Sequence, residues 1–393
     1  METSLSLSRY LYCKSDIKLS FINCLVKKLD INELYFWIVE WYCSGWDCFD
    51  LIWQIYYDFY AILNPTFESY MNKKYLMWKK EQNIYIPITV IKNLYRCESN
   101  PIVFILRQYT ESIIENKNFK LIEKNKKRIS YFKYKSDNTM LLKKFGSGNW
   151  EKTCLLLKKY IHDKKNEDKC ENNNELFELY REILLISGKI NEKKIKEKWK
   201  KRGKCLSYHY ILAILAIIST NPNKIKKKKI KITLNNDEKN MIQQYCIQDI
   251  DKDKYGNKRT YKTLEIKRLY SIHSEFGDCF ETPRNKMNYE LFKSNCLYHW
   301  EYNSKTTPFW KSQFQLYNCT FKNKNPIFDK IKNLDTFYDN FGYELDEQKL
   351  EIQDMSLKKY NNSMTYLDWL NYLYENPNFE YPFIFNEKTK LTL

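Results

Sequence analysis

The chain has 393 residues, 66 Lys and Arg against 48 Asp and Glu for a net charge of +18, and is 43% hydrophobic and 17% aromatic. That hydrophobic share excludes a disordered polycation, and the length favours two or three domains. Only 8 glycines and 9 prolines argue against turn-rich sandwiches and glycine-loop enzymes, and predict a mainly α, multi-helix bundle or array.

The start, METSLSLSRYLYC, lacks the basic stretch followed by an apolar run of a signal peptide, so secretion is not expected. DIKLSFINCLVKKLD (16–30) predicts an amphipathic helix with Ile17, Phe21, Leu25 and Leu29 on one face. INELYFWIVEWYC (31–43) predicts a second, stopped at Ser44-Gly45. GWDCFDLIWQIYYDFYAILNP (45–65) predicts a third, with Asp47 as its cap and Asp50 favoured in its first turn. Its apolar and aromatic residues run nearly all round, the pattern of an interior helix whose tyrosine hydroxyls reach polar partners at the edge. Asn64-Pro65, Asn100-Pro101 and Asn376-Pro377 each combine a potential asparagine cap with proline at a first helical position. FESYMNKKYLMWKKEQ (67–82) and IVFILRQYTESIIE (102–115) follow two of them as helices.

From 116 the chain becomes charged and loosely alternating, consistent with a short hairpin or a linker. WEKTCLLLKKYIHDKK (150–165) and ELFELYREILLISG (175–188) read as helices. The apolar stretch YILAILAII (210–218) is well short of the roughly 20 residues that span a bilayer, so no membrane partner is expected. Beyond 263, aromatic clusters such as CLYHWEY, TPFWKSQFQLY and DTFYDNFGYE read as irregular packed segments between short helices, with an extended tail from 377. The domain reading is an aromatic bundle over 1–120, a helical region with basic segments over 121–262, and a mixed, mostly helical part over 263–393.

Two lysine-rich runs flank the apolar helix 205–220. The first contains Lys194, Lys198, Trp199, Lys200, Lys201, Arg202 and Lys204, and the second Lys226, Lys227, Lys228 and Lys229. Together they form a candidate phosphate-binding rim for DNA or RNA, with salt-dependent and weakly sequence-specific affinity. Trp199 is placed to stack on a base. The competing readings are a solvated basic surface in a lysine-rich composition and a nuclear-import signal.

Twelve cysteines without a CxxC pair predict a reducing compartment and mostly buried thiols. His273, Cys279, Cys296 and His299 form an H-x5-C-x16-C-x2-H series, whose residue types suit zinc but whose outer spacings match no standard knuckle. DIDKDKYG (249–256) opens like a calcium loop, yet Lys254 replaces the turn glycine and Thr260 the bidentate glutamate. FGSGNW (145–150) lacks the lysine of a phosphate loop, and the HExxH and GxSxG motifs are absent. No catalytic residue, metal or cofactor is therefore assigned. Asp58 and Glu40 lie in strongly aromatic helices, and a buried charge there demands a partner; Arg107 is the one expected for Asp58.

ELYFWIVEWYCSGWDCFDLIWQIYYDFYAILNP (33–65), with SNPIVFILRQY (99–109) and more faintly YHWEY and TPFWKSQF (298–314), resembles uncharacterised helical proteins encoded by large double-stranded DNA viruses. The likeness implies no particular activity. The rhythm of Tyr35, Trp37, Gly45 and Asp47 is also similar to the helical collar of clamp-loader-related ATPases, without the ATPase module, which implies an oligomerisation or partner-binding bundle. These readings favour a non-enzymatic helical scaffold or adaptor in a viral nucleic-acid-associated assembly, in host cytoplasm, viral factory, nucleus or virion, with a protein partner or self-association. The alternatives are a nucleic-acid-processing enzyme with dispersed carboxylates and a virion structural component.

Overall fold

The computed structural model describes residues 5–105, 107–108, 181, 213–214, 232–247, 269–273, 275–280, 282–341, 357 and 366–375. Their architecture is mainly α, with many helices and a less regular, aromatic-rich C-terminal region. Helix α1 spans Lys14–Lys27 and closes on Lys28, whose backbone turns left-handed and returns its N–H to the Cys24 carbonyl. Asp30 then caps α2, Ile31–Cys43, by accepting from the Asn32 amide at 3.0 Å. The end of α2 is the Ser44-Gly45 stop. Gly45 has φ +81°, and a Cβ there would lie 2.9 Å from Pro308 Cδ, so the turn requires glycine for both conformation and space.

Asp47 caps α3, Cys48–Ile55, through the Phe49 amide at 2.7 Å. The stretch 45–65 is not one uniform helix. After Ile55 it widens into a π turn, Tyr56–Tyr60, with the Ala61 N–H reaching back to the Tyr56 carbonyl. Residues 48, 49, 51–53 and 55–62 are buried, every aromatic ring among them included, while Asp50 is exposed. The hydroxyls of Tyr56, Tyr57 and Tyr60 donate to Asn64 O, Glu68 Oε1 and Leu25 O respectively. An interior helix thus keeps its phenols satisfied.

Helices α4, Phe67–Glu81, and α5, Tyr85–Tyr95, complete the N-terminal array. Asn100 Oδ1 accepts from the Ile102 amide, the expected cap. Asn64 does otherwise: its carboxamide donates to Tyr60 O and Glu98 O, and α4 begins three residues later. The proline following Asn64 shapes the connection there, and the side chain ties two segments instead of capping a helix. Asn376-Pro377, the tail beyond it, the 116–165 and 175–188 readings other than Arg181, and the calcium-like loop all lie outside the described residues.

Helix α6, Asn236–Cys246, carries a full capping box between Asn235 and Glu238 and lies on α2. Short helices α7 (Pro283–Lys286), α8 (Tyr289–Leu297), α9 (Trp300–Ser304) and α10 (Pro308–Leu316) lead to an antiparallel hairpin, β1 Cys319–Lys322 with β2 Asn325–Phe328. Helix α11, Ile331–Phe341, and α12, Tyr366–Tyr374, follow. The segment DTFYDNF is therefore helical, with Phe337 and Phe341 on its buried face.

Two hydrophobic cores result. The first joins α1–α5 with α6, Ile272, Phe276, Cys279 and Phe280, and Trp369, Leu370 and Leu373 of α12. The second gathers Trp300, Phe309, Trp310, Phe314, Phe337 and Phe341 around Leu5, Leu7, Leu11 and Cys13. Trp300 and Trp310 meet edge to face at 4.7 Å, a favoured ring geometry. The N-terminal segment 5–13 connects the cores. Thr307 Oγ1 donates to Leu7 O and Trp310 Nε1 to Arg9 O, while the Arg9 side chain turns to the first core.

Candidate functional site

The lysine-rich runs, Lys194 to Lys204 with Trp199 and Lys226 to Lys229, lie outside the described residues. What frames them is described. Ala213 and Ile214, in the apolar stretch between the runs, are helical and buried in the first core. Ile232, directly after Lys231, is clamped by one side chain: Asn93 Oδ1 accepts its N–H at 3.0 Å and Asn93 Nδ2 donates to its carbonyl at 2.9 Å. Lys92 Nζ donates to Thr233 O and pairs with Glu238, fixing the next residue to α5 and α6.

The buried carboxylates of the aromatic helices have structural partners. Arg107 Nη2 lies 2.9 Å from Asp58 Oδ2, with both side chains 3% exposed, and Arg107 Nε also donates to the same carboxylate. Glu40 is held by Arg9, whose Nε and Nη2 both donate to Oε2, while the Tyr10 amide donates to Oε1. The same Arg9 guanidinium closes the C-terminus of α6 by donating to Tyr245 O and Cys246 O. These pairs fit the burial rule that a desolvated charge requires a matched and hydrogen-bonded partner.

The four zinc-type residues singled out by spacing do not come together. Among the described residues, the cluster that converges within ligand distance is Cys24, Glu33 and His273. Cys279 is buried in the first core, whereas Cys296 packs against the second and its thiol meets Cys13. His299 sits at the start of α9, its Nδ1 buried without a partner. The physical reason is topological: the H-x5-C-x16-C-x2-H series straddles two cores, so sequence proximity does not become spatial proximity.

The observed cluster is assembled from three elements. Cys24 stands on the last full turn of α1 and Glu33 on the first turn of α2, so the tight corner through Lys28 brings them to the same side. His273 arrives from the segment after 269, its backbone N–H fixed by Ser20 Oγ at 2.9 Å. His273 Nε2 lies 2.8 Å from Glu33 Oε1 and 3.8 Å from Cys24 Sγ. Since a carboxylate only accepts, Nε2 carries the hydrogen in this contact. Trp37 Nε1 donates to the same Oε1 at 3.0 Å, fixing the carboxylate one turn along α2.

Electrostatics follow from this placement. Burial pushes the Cys24 thiol well above its ordinary range, and the adjacent Glu33 carboxylate pushes it further. For Glu33, burial alone raises the pKa, but hydrogen bonds from His273, Trp37 and Cys24 outweigh it and hold the carboxyl below the usual range. Cys24 is thus a protonated donor, not a ready thiolate nucleophile. The chemistry open to the cluster is ligation by sulfur, nitrogen and oxygen. Sequence spacing picked out His273 but missed Cys24 and Glu33, for which the only local signal is their position on either side of a helix corner.

Among the described residues, no helix is long and apolar enough to cross a membrane. Comparison with protein-family models, with curated proteins and with solved structures finds no match to this chain.

Proposed function

We propose that this protein is a non-enzymatic helical scaffold or adaptor whose two lysine-rich runs bind the backbone of DNA or RNA within a viral assembly. The observation that carries the reading is that buried or clamped residues of a well-packed body neighbour those runs in the chain. Ala213 and Ile214 are buried between them, and Asn93 clamps Ile232 at the end of the second. Residues 193–204 hold eight basic residues against one glutamate, and 224–231 hold six lysines with no acidic residue. Such density on an anchored frame concentrates positive potential where a polyanion can displace counterions. Lysine-dominated runs favour phosphate contact over bidentate reading of bases, so binding is weakly sequence-specific.

The engagement of Asp58 and Glu40 by buried arginines favours the scaffold over the enzyme reading, because both carboxylates are committed to structure. The viral setting rests on the resemblance of residues 33–65, and the locations proposed with it are host cytoplasm or viral factory, with nucleus or virion as alternatives.

The test is binding of the full chain to fluorescent single-stranded and duplex DNA and RNA across a salt series. A parallel variant replaces Lys198, Lys200, Lys201 and Lys226–Lys229 by glutamine. Each phosphate neutralised contributes about −0.9 to the slope of log K against log salt on duplex DNA. A steep slope that flattens in the variant is the expected result. Absence of binding at low salt, or an unchanged slope in the variant, refutes the proposal.

A further inference from the structure

We propose that Cys24, Glu33 and His273 form a zinc-type metal site that pins the α1–α2 corner to the distant segment 269–273. The argument begins with donor chemistry. Thiolate sulfur, imidazole nitrogen and carboxylate oxygen are the three ligand types that zinc takes from proteins, and three protein ligands leave a fourth position for water or another ligand. Here one of each is supplied by a different element, with all three donor atoms within 4.8 Å of one another.

The distances suit a shared ion. Tetrahedral zinc with bonds of about 2.3 Å to sulfur and about 2.0 Å to nitrogen holds those atoms about 3.5 Å apart, and nitrogen and oxygen about 3.3 Å apart. Cys24 Sγ and His273 Nε2 stand 3.8 Å apart, and His273 Nε2 and Glu33 Oε1 stand 2.8 Å apart. Adjustments of a few tenths of an ångström, within side-chain torsions, convert one arrangement to the other. Zinc replaces the hydrogens that now lie between the three groups: the Cys24 thiol releases its proton to solvent, and the imidazole ligates as the neutral ring through Nε2 with its hydrogen carried on Nδ1.

The surroundings orient the ligands as a metal site requires. Trp37 Nε1 steadies the carboxylate and Ser20 Oγ fixes the backbone of His273. Access is one-sided. Cys24 is fully buried, whereas the side chains of Glu33 and His273 are each 15% exposed, so the open position faces solvent. An ordinary hydrogen-bonded cluster accounts for the Glu33–His273 contact and for the Cys24 thiol donating to Glu33; the metal assignment adds a reason for one sulfur, one nitrogen and one oxygen donor to converge from three elements. The site is independent of the lysine-rich runs, and its test does not depend on nucleic acid.

The experiment is cobalt(II) titration of the full reduced chain, followed by zinc competition. The expected result is one equivalent bound, with a thiolate-to-cobalt charge-transfer band and four-coordinate ligand-field bands that zinc abolishes. Cys24→Ser removes the charge-transfer band, whereas Cys279→Ser leaves it. Glu33→Gln and His273→Gln each weaken binding at least tenfold. Absence of stoichiometric binding, or an unchanged spectrum in Cys24→Ser, overturns the assignment. Should circular dichroism show that Cys24→Ser does not fold, His273→Gln decides, and unchanged affinity in it overturns the proposal.

Discussion

Replacing Glu301 by glutamine isolates one titration inside the second core. Glu301 is buried on α9, where Tyr338 OH donates to Oε1 at 2.7 Å and Oε2 has no partner among the described residues. Burial pushes its pKa up to about 7, against the smaller lowering effect of the Tyr338 hydrogen bond. Cys319 on β1 also faces this carboxyl, and its own thiol is pushed up to about 11, chiefly by burial; His299 lies two residues away. Because the folded state binds the proton more tightly than the unfolded state, this group's stabilisation is fully present below about pH 4.5. It is lost as pH rises through about 7. At about 1.36 kcal/mol per unit, the interval corresponds to about 3 kcal/mol. Glutamine mimics the protonated acid, retaining an acceptor for Tyr338 at every pH. Urea unfolding of wild type and Glu301→Gln at pH 5 and pH 8.5 measures the difference while other titrations cancel. The variant should gain about 3 kcal/mol on wild type between the two conditions. An equal difference at both pH values refutes the reasoning.

Arg107→Met removes the arginine partner of the buried Asp58 carboxylate, and should cost about 3–5 kcal/mol in denaturant unfolding. The double variant Asp58→Asn/Arg107→Met should lose clearly less than the sum of the two single losses, and additivity contradicts a direct pair. Gly45→Ala should lower thermal stability, by about 1–2 kcal/mol for the left-handed backbone and further for the displacement of Pro308. A neutral melting result contradicts the close approach.

Much of the first core was legible because its signals are local. Asp30, the apolar run 31–43 and Ser44-Gly45 delimit α2 without reference to anything distant, and Asp47 caps α3 through amides two and three residues on. The π turn at Tyr56–Tyr60 was not legible, since an α register would serve the same residues and packing against the rest of the core decides the widening. DTFYDNF was read as irregular although Leu334, Phe337 and Phe341 recur at helical spacing, a signal that dense aromatics obscured. The second core was hidden for a different reason. Leu7 and Leu11 meet Trp310 across some 300 residues, and nothing in either segment specifies the other. The same holds for Cys24, Glu33 and His273: the H-x5-C-x16-C-x2-H series pairs His273 with Cys279, Cys296 and His299, none of which joins it in the cluster.

The fate of the tryptophans bears on how a nucleic acid would be held. Trp37, Trp300, Trp310 and Trp369 are fully buried, and Trp41, Trp53 and Trp78 nearly so, with their rings committed to other aromatic side chains or to core contacts. Those seven tryptophan rings are therefore not available as a stacking platform for bases, whereas Trp46 is partly exposed and Tyr298 is 57% exposed. What the body offers instead is rigidity. Arg9 ties the N-terminal segment to α2 and α6, Arg107 locks Asp58, and Asn93 fixes the chain where the second lysine run ends. A rigid frame reduces the ordering cost of holding a charged segment against a partner. Among the described residues most of the tryptophans thus belong to the cores, and the affinity proposed for polyanions rests on the lysine charge of the sequence.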